Sequence, residues 1–181
     1  MSDVRDWIVV GFDGSEHAYA ALRWAIDEAR RRDAGVRVVH VWSYGIASAS
    51  PYTGDVVETL RDAAQLVLDD AAKVVDEAGL PYETRLEFGS AAPALVLDAE
   101  DAVLLVVGSR SHGGLTGAIL GSVANACVHH APCPVVVVPD GRARAEGVRP
   151  VRPVATPVPS RPERLLTLVG PGRDEHPAPP G

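Results

Sequence analysis

The chain has 181 residues, 46% of them hydrophobic, with a formal net charge of -7 and a pI near 5.3. That length suits one ordinary domain, or one domain with a tail. The acidic balance argues against a phosphate-backbone binder, whose non-specific affinity rests on clustered cations. No run of 18 apolar residues is present to span a membrane, and Met1 to Trp7 mixes Asp3, Arg5 and Asp6 rather than a basic-then-apolar leader. Two cysteines, Cys127 and Cys133, make no disulfide framework, so a cytoplasmic location is expected. Lys73 is the only lysine against 16 arginines, which leaves no lysine for a P-loop or a Schiff base in any glycine-rich loop.

Trp7 to Val10 is a short apolar run closed by Gly11-Phe12-Asp13-Gly14, a strand ending in a turn. Ser15 is a good N-cap, and apolar residues at 18, 21, 22, 25, 26 and 29 form one stripe of a helix ending in Arg30-Arg31-Arg32. The arginine triplet is read as a complement to the helix C-terminal dipole. Val36 to Val41 is a second strand, and residues 43–54 are a turn-rich surface loop. A long helix follows, with apolar positions from 56 to 78, stopped by Gly79 and Pro81. Tyr82 to Phe88 alternates, with Glu83, Arg85 and Glu87 on an open face, which predicts an edge strand. Ser90 caps a short helix through about Ala99, and Val103 to Val107 is a continuous aliphatic strand of the kind buried on both faces. Ile119 to His129 is predicted helical and Val135 to Val138 a last strand.

This order predicts an α/β fold: a single doubly wound, five-stranded parallel sheet with helices on both faces. Ligands in such sheets sit beyond the carboxyl ends of the strands, where strand order reverses. The expected domain is 1–139. Residues 140–181 carry nine of the fifteen prolines and seven arginines, and are expected to be a largely disordered tail. The domain counts 10 basic against 19 acidic residues, the tail 7 against 5.

The stretch Gly108 to Ser122 joins a buried strand to a helix and is longer than most such connections. Five of its fifteen residues are glycine, which lets backbone amides approach a ligand closely. Gly121-Ser122 can present amides and a hydroxyl to a phosphate, with the loop amides forming an anion nest. Alternatively, the glycines only let the loop fold back over the sheet. The stretch is neither a Walker A loop nor a compact G-x-G-x-x-G fingerprint.

The spacing resembles the universal stress protein signature G-x2-G-x9-G-[ST]. Gly108 matches its first glycine and Gly121-Ser122 its last pair, while Ser111 stands where the middle glycine belongs. Val9 to Ser15 resembles the family's first strand and nucleotide-contacting aspartate, His40-Val41 the end of its second strand, and His129 to Pro134 its approach to the fifth. The resemblance covers residues 6–139. It implies an adenine nucleotide alpha hydrolase-like fold that binds ATP through Gly11, Asp13, Val41, Val107, Gly108, Ser111, Gly121, Ser122 and Val123. Mg or Mn would bridge the phosphates, with no protein ligand and no catalytic residue assigned. It also implies a homodimer through the last strand, and a stress-response regulator with a further protein partner. Ser111 supports one alternative, a nucleotide-free dimeric interaction module of the same fold; a weak ATP hydrolase on the same scaffold is a second. Arg110 and His112 are further phosphate candidates from the residues alone, with solvent-facing loop positions as the duller account.

Several other groups have plainer explanations. Cys127, His129, His130 and Cys133 lack metal-ligand spacing, and His129 and His130 point about 100° apart on a helix. His40, inside an apolar strand, is read as a satisfied core histidine. Asp69, Asp70, Asp98, Glu100 and Asp101 are read as solvated helix faces. Ser109 and Ser122 lack the surroundings of a G-x-S-x-G elbow.

Overall fold

A computed structural model describes residues 6–44, 54–110 and 120–139. Ser111, His112 and the tail from Asp140 lie outside the described residues, as does nearly all of the predicted 43–54 loop. The elements are β1 (Trp7–Gly11), α1 (Glu16–Arg32), β2 (Gly35–Trp42), α2 (Gly54–Glu77), β3 (Tyr82–Phe88), α3 (Ala91–Asp98), β4 (Ala102–Gly108), α4 (Ser122–His130) and β5 (Val135–Val138). All strand pairs are parallel, in the order β3-β2-β1-β4-β5. The order reverses between β1 and β4, so the carboxyl ends of those two strands flank the crevice that such sheets offer a ligand.

Alternation along the central strands builds two cores. Ile8, Val10, Val36, Val38, Leu104 and Val106 pack with Leu22, Ile26, Leu68 and Val75 of α1 and α2. Val9, Val39, Leu105 and Val107 pack with Leu95 of α3 and with Ala124 and Cys127 of α4. Both faces are covered, which is why β4 carries no polar residue. β3 is an edge strand, but its exposure does not follow the predicted alternation. Leu86 packs on the first core, whereas Phe88 at the sheet's rim is 54% exposed.

Helix boundaries follow local chemistry. Ser15 Oγ accepts from the Ala18 amide at 3.1 Å, a cap worth about 1 kcal/mol. α1 closes at Asp33, which adopts the left-handed conformation (φ 55°) and returns its amide to Ala29. The arginine triplet crowds the last turn as a dipole complement should, and each arginine also has an acidic neighbour. Arg31 and Arg32 grip Glu28 at 2.8 and 2.7 Å, and Arg30 lies 3.7 Å from Asp27. Gly79 (φ 70°) ends α2 as the sequence predicts. Ser90 precedes α3 without a side-chain cap bond. α4 begins at Ser122, not at Ile119. Gly121 keeps extended backbone (φ -61°, ψ 152°) because its amide is committed to the Ser109 carbonyl at 2.9 Å.

One ionic cluster lies within the sheet. Arg37 interrupts the apolar run of β2, and its side chain is 5% exposed. Its guanidinium donates to both carboxylate oxygens of Asp101 (2.6 and 3.1 Å), to Glu83 (3.0 Å) and to the Asp98 carbonyl (2.9 Å). It also lies 5.2 Å from the centre of the Trp7 ring. The expectation that Asp101 is merely a solvated position is therefore corrected. A buried guanidinium needs carboxylates, and Asp101 supplies one from the α3–β4 turn.

Candidate functional site

A cavity of about 220 Å³ opens at the switch between β1 and β4. Its walls come from four connections. Gly11, Phe12 and Asp13 end β1, Val39 and Val41 belong to β2, Val107 and Gly108 end β4, and Gly121 to Ala124 start α4. Ala91 and Leu95 of α3 and Ala18 of α1 complete it, with Arg110. Eight of the nine residues carried over by the resemblance thus line one cavity. The ninth, Ser111, lies outside the described residues.

The turn after β1 is held on both sides. The Phe12 amide donates to Val39 O at 2.9 Å, and the Phe12 carbonyl lies 2.7 Å from His40 Nδ1. A carbonyl only accepts, so Nδ1 is the protonated nitrogen of His40, and the ring is satisfied as expected. Asp13 Oδ1 accepts from the Ser15 amide at 3.0 Å. The same turn that caps α1 therefore fixes Asp13 at the cavity. Gly14 takes the positive φ (79°) that lets the chain swing from strand to helix.

Gly108 is a glycine for space rather than conformation. A Cβ there would stand 3.0 Å from the backbone carbonyl carbon and oxygen of His17, so α1's first turn already demands it. On the opposite side, Ser109 donates its amide to Val138 O at 2.8 Å and accepts from Gly121. The strand end, β5 and the start of α4 are thereby tied together around the cavity.

Chemically the cavity is apolar over most of its wall, from Val39, Val41, Leu95, Val107 and Val123. Among the described residues, polarity is confined to Asp13, Arg110, Ser122 and backbone. The α4 amides at this end have no acidic residue in the first turn to satisfy them. Neither cysteine is poised as a nucleophile, because burial pushes both the Cys127 and the Cys133 thiol up. Among the described residues no group of three or more His, Cys, Asp or Glu could hold a metal, and no helix is long and apolar enough to cross a membrane.

Residues 5–139 match the model of the universal stress protein family. The chain belongs to the universal stress protein family. Universal stress protein Rv2623 of Mycobacterium tuberculosis (strain ATCC 25618 / H37Rv) is 38% identical over 140 residues, 74% of this chain and 47% of the relative. The chain spans about half the length of the curated relatives it matches. A universal stress protein structure from Archaeoglobus fulgidus is 30% identical with a TM-score of 0.58, over 75% of this chain and 99% of that one. A universal stress protein crystallised in complex with cAMP is 26% identical with a TM-score of 0.58, over 74% and 96%.

Sequence reasoning missed much of this universal stress protein's cavity wall, namely Phe12, Ala18, Val39, Ala91, Leu95 and Ala124. Val39 was within reach, since it shares a strand face with Val41 two residues on. Ala91 and Leu95 were not, because nothing in an eight-residue apolar helix says which residues turn towards the sheet's end. Arg110 proves to line the cavity, which corrects the plainer account of it as a purely solvent-facing loop residue.

Proposed function

We propose that this protein binds an adenine nucleotide, ATP foremost, and uses occupancy to regulate a partner rather than to turn over a substrate. The observation that carries the reading is the position and make-up of the cavity. It lies at the topological switch, with an apolar slot for a base between Val39, Val41 and Leu95 and the start of α4 at the other end for phosphate. The neighbour crystallised with cAMP supports the class of ligand. Among the described residues, Asp13 is the only carboxylate that lines the cavity. That suits Mg2+ or Mn2+ carried in on phosphate oxygens, since magnesium is commonly held by one or two carboxylates plus the substrate's phosphates. Regulation then requires that two conformations, or two partners, differ in their affinity for the loaded protein.

Isothermal titration of the full chain with Mg-ATP is expected to give saturable one-site binding at micromolar concentration. No heat and no saturation below about 1 mM, an affinity weaker than about -4 kcal/mol, would remove the reading. We also propose that two copies pair through β5, an edge strand of four valines whose side chains are all only half-buried. Light scattering on the purified chain is expected to give twice the 19.0 kDa monomer mass, and a Val136→Lys, Val138→Lys variant the monomer. A wild-type monomer at all concentrations would refute the pairing.

A further inference from the structure

β2 carries two polar residues, Arg37 near its start and His40 near its end. Arg37 serves the ionic cluster described above, whereas Val39 and Val41 on either side of His40 line the cavity. By strand alternation His40 faces the other way, with Val36 and Val38, which pack towards α1 and α2. It therefore meets the site only through the chain, and one contact takes it there. Its Nδ1 lies 2.7 Å from the carbonyl oxygen of Phe12, the residue directly before Asp13. We infer that His40 is a positioning residue of the site. Its N–H, held on the Phe12 carbonyl, sets where Asp13 stands in the cavity. The inference rests on the nucleotide reading above and adds to it a residue that touches no ligand.

The geometry gives this bond leverage. A peptide unit is planar, so the Phe12 oxygen lies in one plane with the nitrogen and Cα of Asp13. Fixing the oxygen fixes the direction in which Asp13 leaves the turn. The register between β1 and β2 ends at Gly11 and Val39, so Phe12 is the first residue past the paired strand. It is held there from three sides. Its amide donates to Val39 O at 2.9 Å, its carbonyl takes the His40 proton, and its ring, 3% exposed, meets Tyr19 edge-on at 4.9 Å. Beyond it, the Ser15 amide holds Asp13 Oδ1 at 3.0 Å. The carboxylate is thus fixed from in front by the turn that starts α1 and from behind by His40. An apolar side chain at 40 takes the donor away, and the Phe12–Asp13 peptide can then turn while the ring and the amide of Phe12 stay in place.

The test is a double-mutant cycle between positions 40 and 13 in the full chain, read by titration with Mg-ATP. His40→Leu removes the donor and is expected to lower affinity about tenfold. His40→Asn, whose side-chain amide brings an N–H back near the position of Nδ1, is expected to recover most of that loss. Asp13→Ala lowers affinity on its own, and adding His40→Leu to it is expected to cost nothing further. Thermal melts establish that each variant is folded at the titration temperature. Where His40→Leu is not, His40→Met fills the same space without a donor. A folded His40→Leu or His40→Met protein with full affinity overturns the inference. So do losses that multiply in the double variant, or an asparagine no better than leucine, since either makes His40 a core side chain only. An Asp13→Ala protein that binds like wild type overturns it too, because position 13 then offers nothing to place. A wild type that does not bind Mg-ATP removes the nucleotide reading itself, a failure distinct from all of these.

Discussion

Replacing Asp101 with asparagine is expected to lower the unfolding free energy by about 2 kcal/mol, although the Asp101 side chain is 66% exposed. The cost arises at its partner. Arg37 stays ionised at every accessible pH, and its side chain is 5% exposed, so a neutral amide in place of the Asp101 carboxylate leaves a buried cation facing Glu83 and one carbonyl. Arg37→Met is expected to cost less, about 1 kcal/mol, because the apolar stem fills the same space and the two carboxylates return to water. Asp101→Asn is thus expected to lower Tm by about 5 °C, more than Arg37→Met. The reverse ranking in thermal melts would refute the argument.

The pH dependence follows from the same geometry. The Arg37 hydrogen bonds hold the Asp101 carboxyl below its ordinary range. A carboxyl with a depressed folded pKa contributes stability that is complete above its unfolded pKa, about 3.9, and is lost as pH falls through the lower folded value. The gap between wild type and Asp101→Asn is therefore flat from neutral pH to about pH 5 and closes only in strong acid. Asp98, next door, works in the opposite direction. Burial, and then the nearby Glu87, push its carboxyl up, so it favours the folded state as it takes on a proton. Measuring the difference between the two proteins at each pH removes the part due to burial and Glu87 and leaves only the smaller push that the Asp101 charge itself gives Asp98.

What could be read from the chain divides along a physical line. Strand and helix identities were legible because their apolar periods differ, 2 against 3.6, and because Ser15, Gly79 and Pro81 are unambiguous stops and starts. The sheet's parallel layout followed from the alternation of elements. The start of α4 was not legible, because Ile119 and Leu120 extend its apolar pattern backwards. What stops the helix there is a hydrogen bond between Gly121 and Ser109, residues on different elements. Arg37, a charge flanked by Val36 and Val38, passed unremarked in the strand reading, and no sequence rule pairs it with Asp101, 64 residues away. At the site, the glycine spacing located the β4 and α4 walls. The α3 wall came only from tertiary packing, as Leu95 turns in beneath Gly11.

Gly108→Ala is expected to damage stability and nucleotide binding together, and the reason separates this glycine from Gly11 at the same cavity. Gly108 has no positive φ to protect, so an alanine there carries no backbone strain. Its Cβ would instead press on His17's carbonyl carbon, oxygen and Cβ, all at 3.0 Å, where no rotamer change can relieve it. α1's first turn must back away from β4, an overpacking cost of about 1–3 kcal/mol. That movement does not stay local. Ser15 caps α1 through Ala18, and Asp13 is bonded to Ser15, so Ala18 and Asp13 shift with the helix and the cavity loses its shape on that side. Mg-ATP affinity is expected to fall at least about tenfold, roughly the effect of misplacing one charged contact. Gly11→Ala provides the contrast. Its Cβ meets Leu95 Cδ1 at 2.9 Å, the free end of a flexible side chain, which can turn aside at a smaller cost in stability. Thermal melts and ATP titrations of the two variants, made side by side, decide whether α1 or α3 sets the cavity. A Gly108→Ala protein that melts and binds like wild type would show that α1 yields freely and that the glycine is not needed for the helix to pack.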